Sequence, residues 1–249
     1  AEGFDGASAL SISTATMSST SASAVLVQNW NAAGATASFM DCTANAASNA
    51  VVFTSVTGLT AGLTNVVAIA SGASAACVSI TSASAASAFT LTNVDATGES
   101  SSHGVYAHSL TGGSLTVTGG KLSGGNNALH LHTLANVAVS VKDATLAGGT
   151  GAGATRQGLY ANALAGGALA LDNVAATSAA DDGIFVQFLT AAAAFTATDC
   201  AFTGAQKGAY VNQFTDSSIK WNNVISCWLI FTNLKFLITV KASKKLILV

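Results

Sequence analysis

Apolar and polar residues alternate with a period of two in short runs, and the runs recur in two interleaved series. One series reads Phe89-Thr-Leu-Thr-Asn-Val94, Leu115-Thr-Val-Thr118, Val139-Ser-Val-Lys-Asp143, Leu169-Ala-Leu-Asp-Asn-Val174, Phe195-Thr-Ala-Thr-Asp-Cys200 and Ile219-Lys-Trp-Asn-Asn-Val224, with starts 26, 24, 30, 26 and 24 residues apart. The other precedes each copy by about ten residues: Gly104-Val-Tyr-Ala-His-Ser-Leu110, Ala128-Leu-His-Leu-His-Thr-Leu134, Gly158-Leu-Tyr-Ala-Asn-Ala-Leu164, Gly183-Ile-Phe-Val-Gln-Phe-Leu189 and Gly208-Ala-Tyr-Val-Asn-Gln-Phe214. Weaker echoes continue upstream, at Phe39-Met-Asp-Cys42 and Ala50-Val-Val-Phe53 among others. Apolar residues at i and i+2 mark half-buried strands, and a helix would place them at i+3 and i+4. Gly, Ser, Asn and Asp bound each run as turn residues do.

Two or three short strands per repeat, stacked in register, predict a solenoid whose coils bury one another's inner faces. The expected fold is all-β: a single-stranded right-handed parallel β-helix of about nine coils, roughly 26 residues each. Parallel crossovers are strongly right-handed. At the usual parallel spacing the rod would be about 43 Å long. The predicted β-helix domain covers residues 1–224.

Composition sharpens this picture. Half the residues are hydrophobic but only 7% are aromatic and 8% charged, against roughly 25% charged in ordinary domains. A surface of hydroxyls and amides suits a β-rich rod. Disorder would need low hydrophobicity and high net charge, whereas the net charge is -2. Proline is absent, so every backbone N–H is available to a ladder. Residues 1–224 hold eleven acids against five bases, which leaves no basic stripe for phosphates and argues against a nucleic-acid partner. No apolar run reaches the ~18 residues of a membrane span. The chain lacks an initiator Met and a signal-like start, as a processed chain or a fragment would.

The coil length and strand alternation over about residues 8–224 resemble the right-handed parallel β-helix proteins of the pectin-lyase-like superfamily, which include adhesin passengers and phage tailspikes. The resemblance is architectural and names no reaction. It implies extracellular or cell-surface life and contact with polysaccharide or a cell-surface glycan.

Residues 225–249 depart from the pattern. They are rich in Ile, Leu, Phe and Lys, as a capping segment or a non-native tail would be. Caps are what solenoid ends require.

The alternation also predicts what faces outward. With Val105, Leu129, Leu159, Ile184 and Ala209 inward, Tyr106, His130, Tyr160, Phe185 and Tyr210 form an outward ring column. Two residues on, His108, His132, Asn162, Gln187 and Asn212 form a polar column beside it. Rings with a few placed polar groups suit sugar binding, while the plainer alternative is that the rings stack on one another and shield the sheet. The predicted binding residues are the members of these two columns other than His130. A second outward ladder, Thr90 and Thr92 through Thr196 and Thr198, resembles ice-binding surfaces but is interrupted at Lys142, Asp172 and Lys220.

Catalytic and metal readings find less support. His108, His130 and His132 lie near enough to suggest Zn²⁺, but no carboxylate stands by to orient them. Asp181-Asp182 resembles the paired acids of polygalacturonase-type hydrolases. The downstream Gly-His-Gly and Arg/Lys-x-Lys motifs of those enzymes are missing, and Ser102-His103-Gly104 lies upstream. The pair is therefore expected to be a solvated turn. A pectate-type lyase needs an arginine base, and the single arginine, Arg156, sits in a Gly-rich insertion. The Gly149-x-Gly151-x-x-Ala154 pattern there precedes no predicted helix, so it marks no dinucleotide site. Asp41, Asp143, Asp172 and Asp199, with Asn93 and Asn222, are expected to cap turns after the second strand. Cys42 and Cys200 share a column about 29 Å apart, too far for a disulfide, and read as buried hydrophobes. The expected function is a non-enzymatic surface protein without a cofactor or metal. The alternatives are a polysaccharide lyase or glycoside hydrolase, and a structural or ice-binding solenoid.

Overall fold

The computed structural model describes residues 8–84, 86–99, 101–149 and 156–226, and the backbone of three further strands, Leu229–Thr232, Ile238–Lys241 and Leu246–Leu248. The chain winds into a parallel β-solenoid of about eight turns, with about 26 residues per turn. Each turn contributes three strands, one to each of three parallel sheets. In one turn these are Leu129–Ala135, Ala138–Lys142 and Thr145–Gly148. The first sheet carries the ring motif and the second carries the Thr-x-Thr motif. The third is built from four-residue strands such as Ala175–Ser178, which are too short to show a period in the sequence.

Register is unbroken from coil to coil. In the first sheet Leu129 pairs with Val105 on one side and Leu159 on the other. In the second, Val139 pairs with Leu115 and Leu169. Successive side chains of a strand point to opposite faces, so one inward residue per register position builds a column. Val105, Leu129, Leu159, Ile184 and Ala209 are all fully buried, as the alternation requires. The buried residues of all three sheets form one continuous core. Ala44, Ala68, Ala96 and Ala176 occupy inward positions of the third sheet and are fully buried. Phe39, Phe53 and Phe89 meet edge-on in the N-terminal half, with centroids 6.2 and 5.5 Å apart. Trp221 meets both Phe195 and Phe202 at 5.6 Å in the C-terminal half. Much of the alanine in the composition therefore sits in the core.

One corner, between the second and third sheets, is set by a column of left-handed residues. Thr14, Asp41, Asn65, Asn93, Asp143, Asn173, Asp199 and Asn223 all have φ between 51° and 52°. Asn and Asp tolerate this region because their side chains bond locally. Here the side chains also bond to one another along the rod. Asn65 Nδ2 donates to Asp41 Oδ1 at 2.9 Å, Asn173 to Asp143 at 2.7 Å and Asn223 to Asp199 at 2.6 Å. Gly119, at φ 67°, interrupts the ladder, and a Cβ there would lie 2.4 Å from Asn93 Oδ1. This corrects the sequence-based turn assignment at two places. Asp172 and Asn222 are the last residues of their strands, and the turn residues are the asparagines that follow them. Asp172 instead meets Lys142 of the preceding coil at 3.3 Å, on the exposed face of the second sheet.

Cys42, Cys77 and Cys200 are buried and unbridged. Burial pushes the Cys77 thiol up to about 12. Cys227 lies outside the described residues. The strands at 229–232 and 238–241 pair in parallel with Ala209–Phe214 and Ser218–Asn222, so the backbone of the C-terminal segment extends the first and second sheets.

Candidate functional site

The outward face of the first sheet carries the two predicted columns. Tyr106, His130, Tyr160, Phe185 and Tyr210 occupy successive rungs of one register position. All five are half-buried. Neighbouring centroids are 5.0, 4.7, 5.3 and 5.2 Å apart. His130 stands nearly perpendicular to both Tyr106 and Tyr160, while Tyr160 and Phe185 lie within 7° of parallel. Rings in such contact stabilise one another by about 0.5–1.5 kcal/mol per pair. From His130 to Phe185 each ring has a ring neighbour on both sides, so the interior of the ladder offers edges and hydroxyls outward rather than open faces.

The polar column stands beside it, with His108, His132, Asn162, Gln187 and Asn212 on successive rungs. His108 and His132 stack at 5.1 Å with planes 9° apart. Asn162 donates to the Tyr160 hydroxyl at 2.9 Å, and its own Oδ1 is buried without a partner. Gln187 Nε2 donates to Gln213 Oε1 at 2.8 Å.

A third column went unrecognised in the sequence. Asn49, His103, Asn127, Gln157, Asp182 and Lys207 each lie two residues before the first inward residue of the sheet, at the corner that leads into it. The ring column follows each of the last five by three positions. The recurrence of polar residues at this offset was the available signal, but their chemical variety hid it. Asn127 Oδ1 accepts the Gln157 N–H at 2.8 Å, and its Nδ2 lies 3.2 Å from His130 Nδ1. Gln157 Nε2 donates to Asp181 Oδ2 at 2.8 Å. Lys207 Nζ meets Asp182 Oδ1 at 3.4 Å and lies 4.7 Å from the Tyr210 ring centre.

Phe188 was also missed. Simple alternation would turn it inward, but the strand bends at a left-handed residue in each coil: Ser82, Ser109, Thr133, Ala163, Phe188 and Gln213. The bend turns Phe188 outward, where it is 41% exposed, and places Leu189 fully in the core.

All four histidines of the chain gather in this patch. The His103 ring centre lies 4.7 Å from that of His130, and the His130 centre lies 6.2 Å from that of His132. Burial holds His103 down at about 4. Burial, then the neighbouring histidines, holds His130 down at about 3. His132 is lowered for the same two reasons, burial first. His103 and His130 are thus uncharged at neutral pH. Among the described residues no group of three His, Cys, Asp or Glu is arranged to hold a metal ion.

The paired acids differ from the solvated turn expected of them. Asp182 is 2% exposed and is committed to Lys207, while Asp181 accepts from Gln157. Desolvation raises the Asp182 carboxyl, and the Lys207 charge opposes that rise. Of the Gly-rich insertion, residues 150–155 lie outside the described residues, and with them most of the Gly149-x-Gly151-x-x-Ala154 pattern.

No family model, curated protein or solved structure matches this chain. The fold therefore rests on the coil-to-coil register and the function on the chemistry of the face. Among the described residues no helix is long and apolar enough to cross a membrane.

Proposed function

We propose that the protein is a non-enzymatic β-helix rod that contacts polysaccharide or cell-surface glycan through the outward face of its first sheet, in an extracellular or cell-surface setting. The observation that carries this reading is the triple column itself. Half-buried rings run unbroken over five coils, flanked on one side by imidazoles and amides and on the other by Asn127, Gln157 and Lys207. A glycan is a repeating chain of hydroxyls and C–H faces. A fixed row of hydroxyl, amide and ring-edge groups at the strand spacing of about 4.8 Å matches it with little reorganisation. The resemblance to pectin-lyase-like adhesin passengers and tailspikes points the same way.

The placement of Asp182 argues against the hydrolase alternative, because a residue 2% exposed and ion-paired to Lys207 is out of hydrogen-bond reach of a substrate on the surface. The Lys142–Asp172 pair crosses the Thr-x-Thr ladder and argues against ice binding there. A glycan array tests the proposal. Tyr160→Ala with Tyr210→Ala should lower retention on the responding glycan about tenfold or more. Equal retention by the variant, or no retained glycan at all, contradicts the proposal.

A further inference from the structure

The ring ladder has an open end. Toward the N-terminus, Tyr106 pairs in register with Ser79, and His103 pairs with Ala76. The next rung is thus two small side chains, both buried beneath the level the rings reach. A cavity of about 310 Å³ opens at this step, lined by Asn49, Ser74, Ala76, Ser79, His103, Tyr106 and His130. Its size falls at the lower end of small-molecule sites, which span roughly 300–1,000 Å³.

We infer that this cavity is a terminal slot for one neutral, ring-shaped polyol, a single sugar residue of a glycan, which takes the place of the missing rung. The inference rests on the carbohydrate reading of the ring face and adds to it where a chain end is held and what charge it carries. Three features converge. The small pair Ala76 and Ser79 leaves room for a ring against the end of the ladder, which the bulky residues of later rungs do not. The walls are polar in the way a sugar needs, with the Asn49 amide, whose Oδ1 already accepts the Ala76 N–H at 2.7 Å, hydroxyls at Ser74 and Ser79, and the His103 imidazole. Among the described residues no carboxylate, lysine or arginine lines the slot, so a uronic acid would enter with its charge unpaired, and a neutral sugar would not.

The test uses the full chain with methyl glycosides of neutral hexoses and N-acetylhexosamines, and with glucuronate and galacturonate as charged counterparts. Binding is read by saturation-transfer NMR and by titration. The expected result is contact from a neutral glycoside, weaker contact from the uronates, and a loss of about tenfold or more in affinity in Ser79→Phe, which fills the missing rung. If Ser79→Phe does not fold, as judged by circular dichroism, Tyr106→Ala removes a wall of the slot and should give the same loss. Neutral glycosides that show no contact, or contact unchanged in the folded variant, overturn the slot. Polysaccharide retention that survives Ser79→Phe but falls in Tyr160→Ala with Tyr210→Ala also overturns the slot while leaving the ring face as the glycan site. Retention indifferent to all these changes overturns both.

Discussion

Lys207 Nζ lies 3.4 Å from Asp182 Oδ1, one coil away, with the lysine side chain 27% exposed and the aspartate 3%. The aspartate is the costly partner, because a carboxylate out of water needs its counter-charge. Lys207→Met should destabilise the fold by roughly 1–3 kcal/mol, less than the 3–5 typical of a fully buried pair because the lysine is partly solvated. Asp182→Asn in the same background should recover part of the loss. The sign with pH follows from the raised carboxyl. The folded state binds this proton more tightly than the unfolded chain, so the group favours folding in acid, and the gain fades as pH rises through the folded value. Without Lys207 that fade should reach higher pH in chemical denaturation series.

The histidine patch acts in the opposite sense. His103 and His130 are neutral when folded, held near 4 and near 3 against an ordinary 6.5. Below pH 6.5 the unfolded chain takes up protons that these two rings refuse when folded, so stability should fall by about 1.4 kcal/mol per pH unit for each of the two until its folded value is reached. The groups facing His130 are His103, His108 and His132, and all add to this trend. Melting temperature measured from pH 7 down to 4 should drop steadily, and His103→Gln should flatten the curve.

The left-handed corner gives a graded test. Asn173→Ala should cost about 1–2 kcal/mol, since alanine resists φ near 52° and the donor to Asp143 is lost. Asn173→Gly should cost less, because it keeps the backbone and loses only an exposed hydrogen bond. Equal losses in urea denaturation would mean that the side-chain ladder, rather than the backbone conformation, sets the corner.

Phe195 is fully buried and meets Trp221 edge-on at 5.6 Å. Phe195→Ala should cost about 3–5 kcal/mol through lost transfer energy and a cavity that a stacked coil cannot easily close. Thermal unfolding followed by Trp fluorescence measures this directly.

How much was legible in advance varies along each coil. The inward column from Val105 to Ala209 and the outward columns of Tyr106 and His108 follow from a period of two, and the structure places them as the alternation does. The alternation stops being a guide one residue later, at Ser109 and its equivalents, because a left-handed residue shifts the phase and sends Phe188 outward. The turn column was misread by one position at Asp172 and Asn222, where two consecutive polar residues offered equal claims. The corner column of His103, Asn127, Gln157, Asp182 and Lys207 escaped notice because its members share a place but no chemical type.

Local sequence alone determined the repeat length, the positions of two of the three strands in each coil and which side of those strands is apolar, because these depend on the chain's own alternation and turn residues. Only the stacked structure decided which residues of different coils meet. The Asp143–Asn173 bond, the Lys207–Asp182 pair and the open rung above Tyr106 each join side chains from neighbouring coils, 30, 25 and 27 residues apart in the chain. Such contacts depend on coil-to-coil register and on the depth of burial at each corner, and neither is written in the alternation of a single strand.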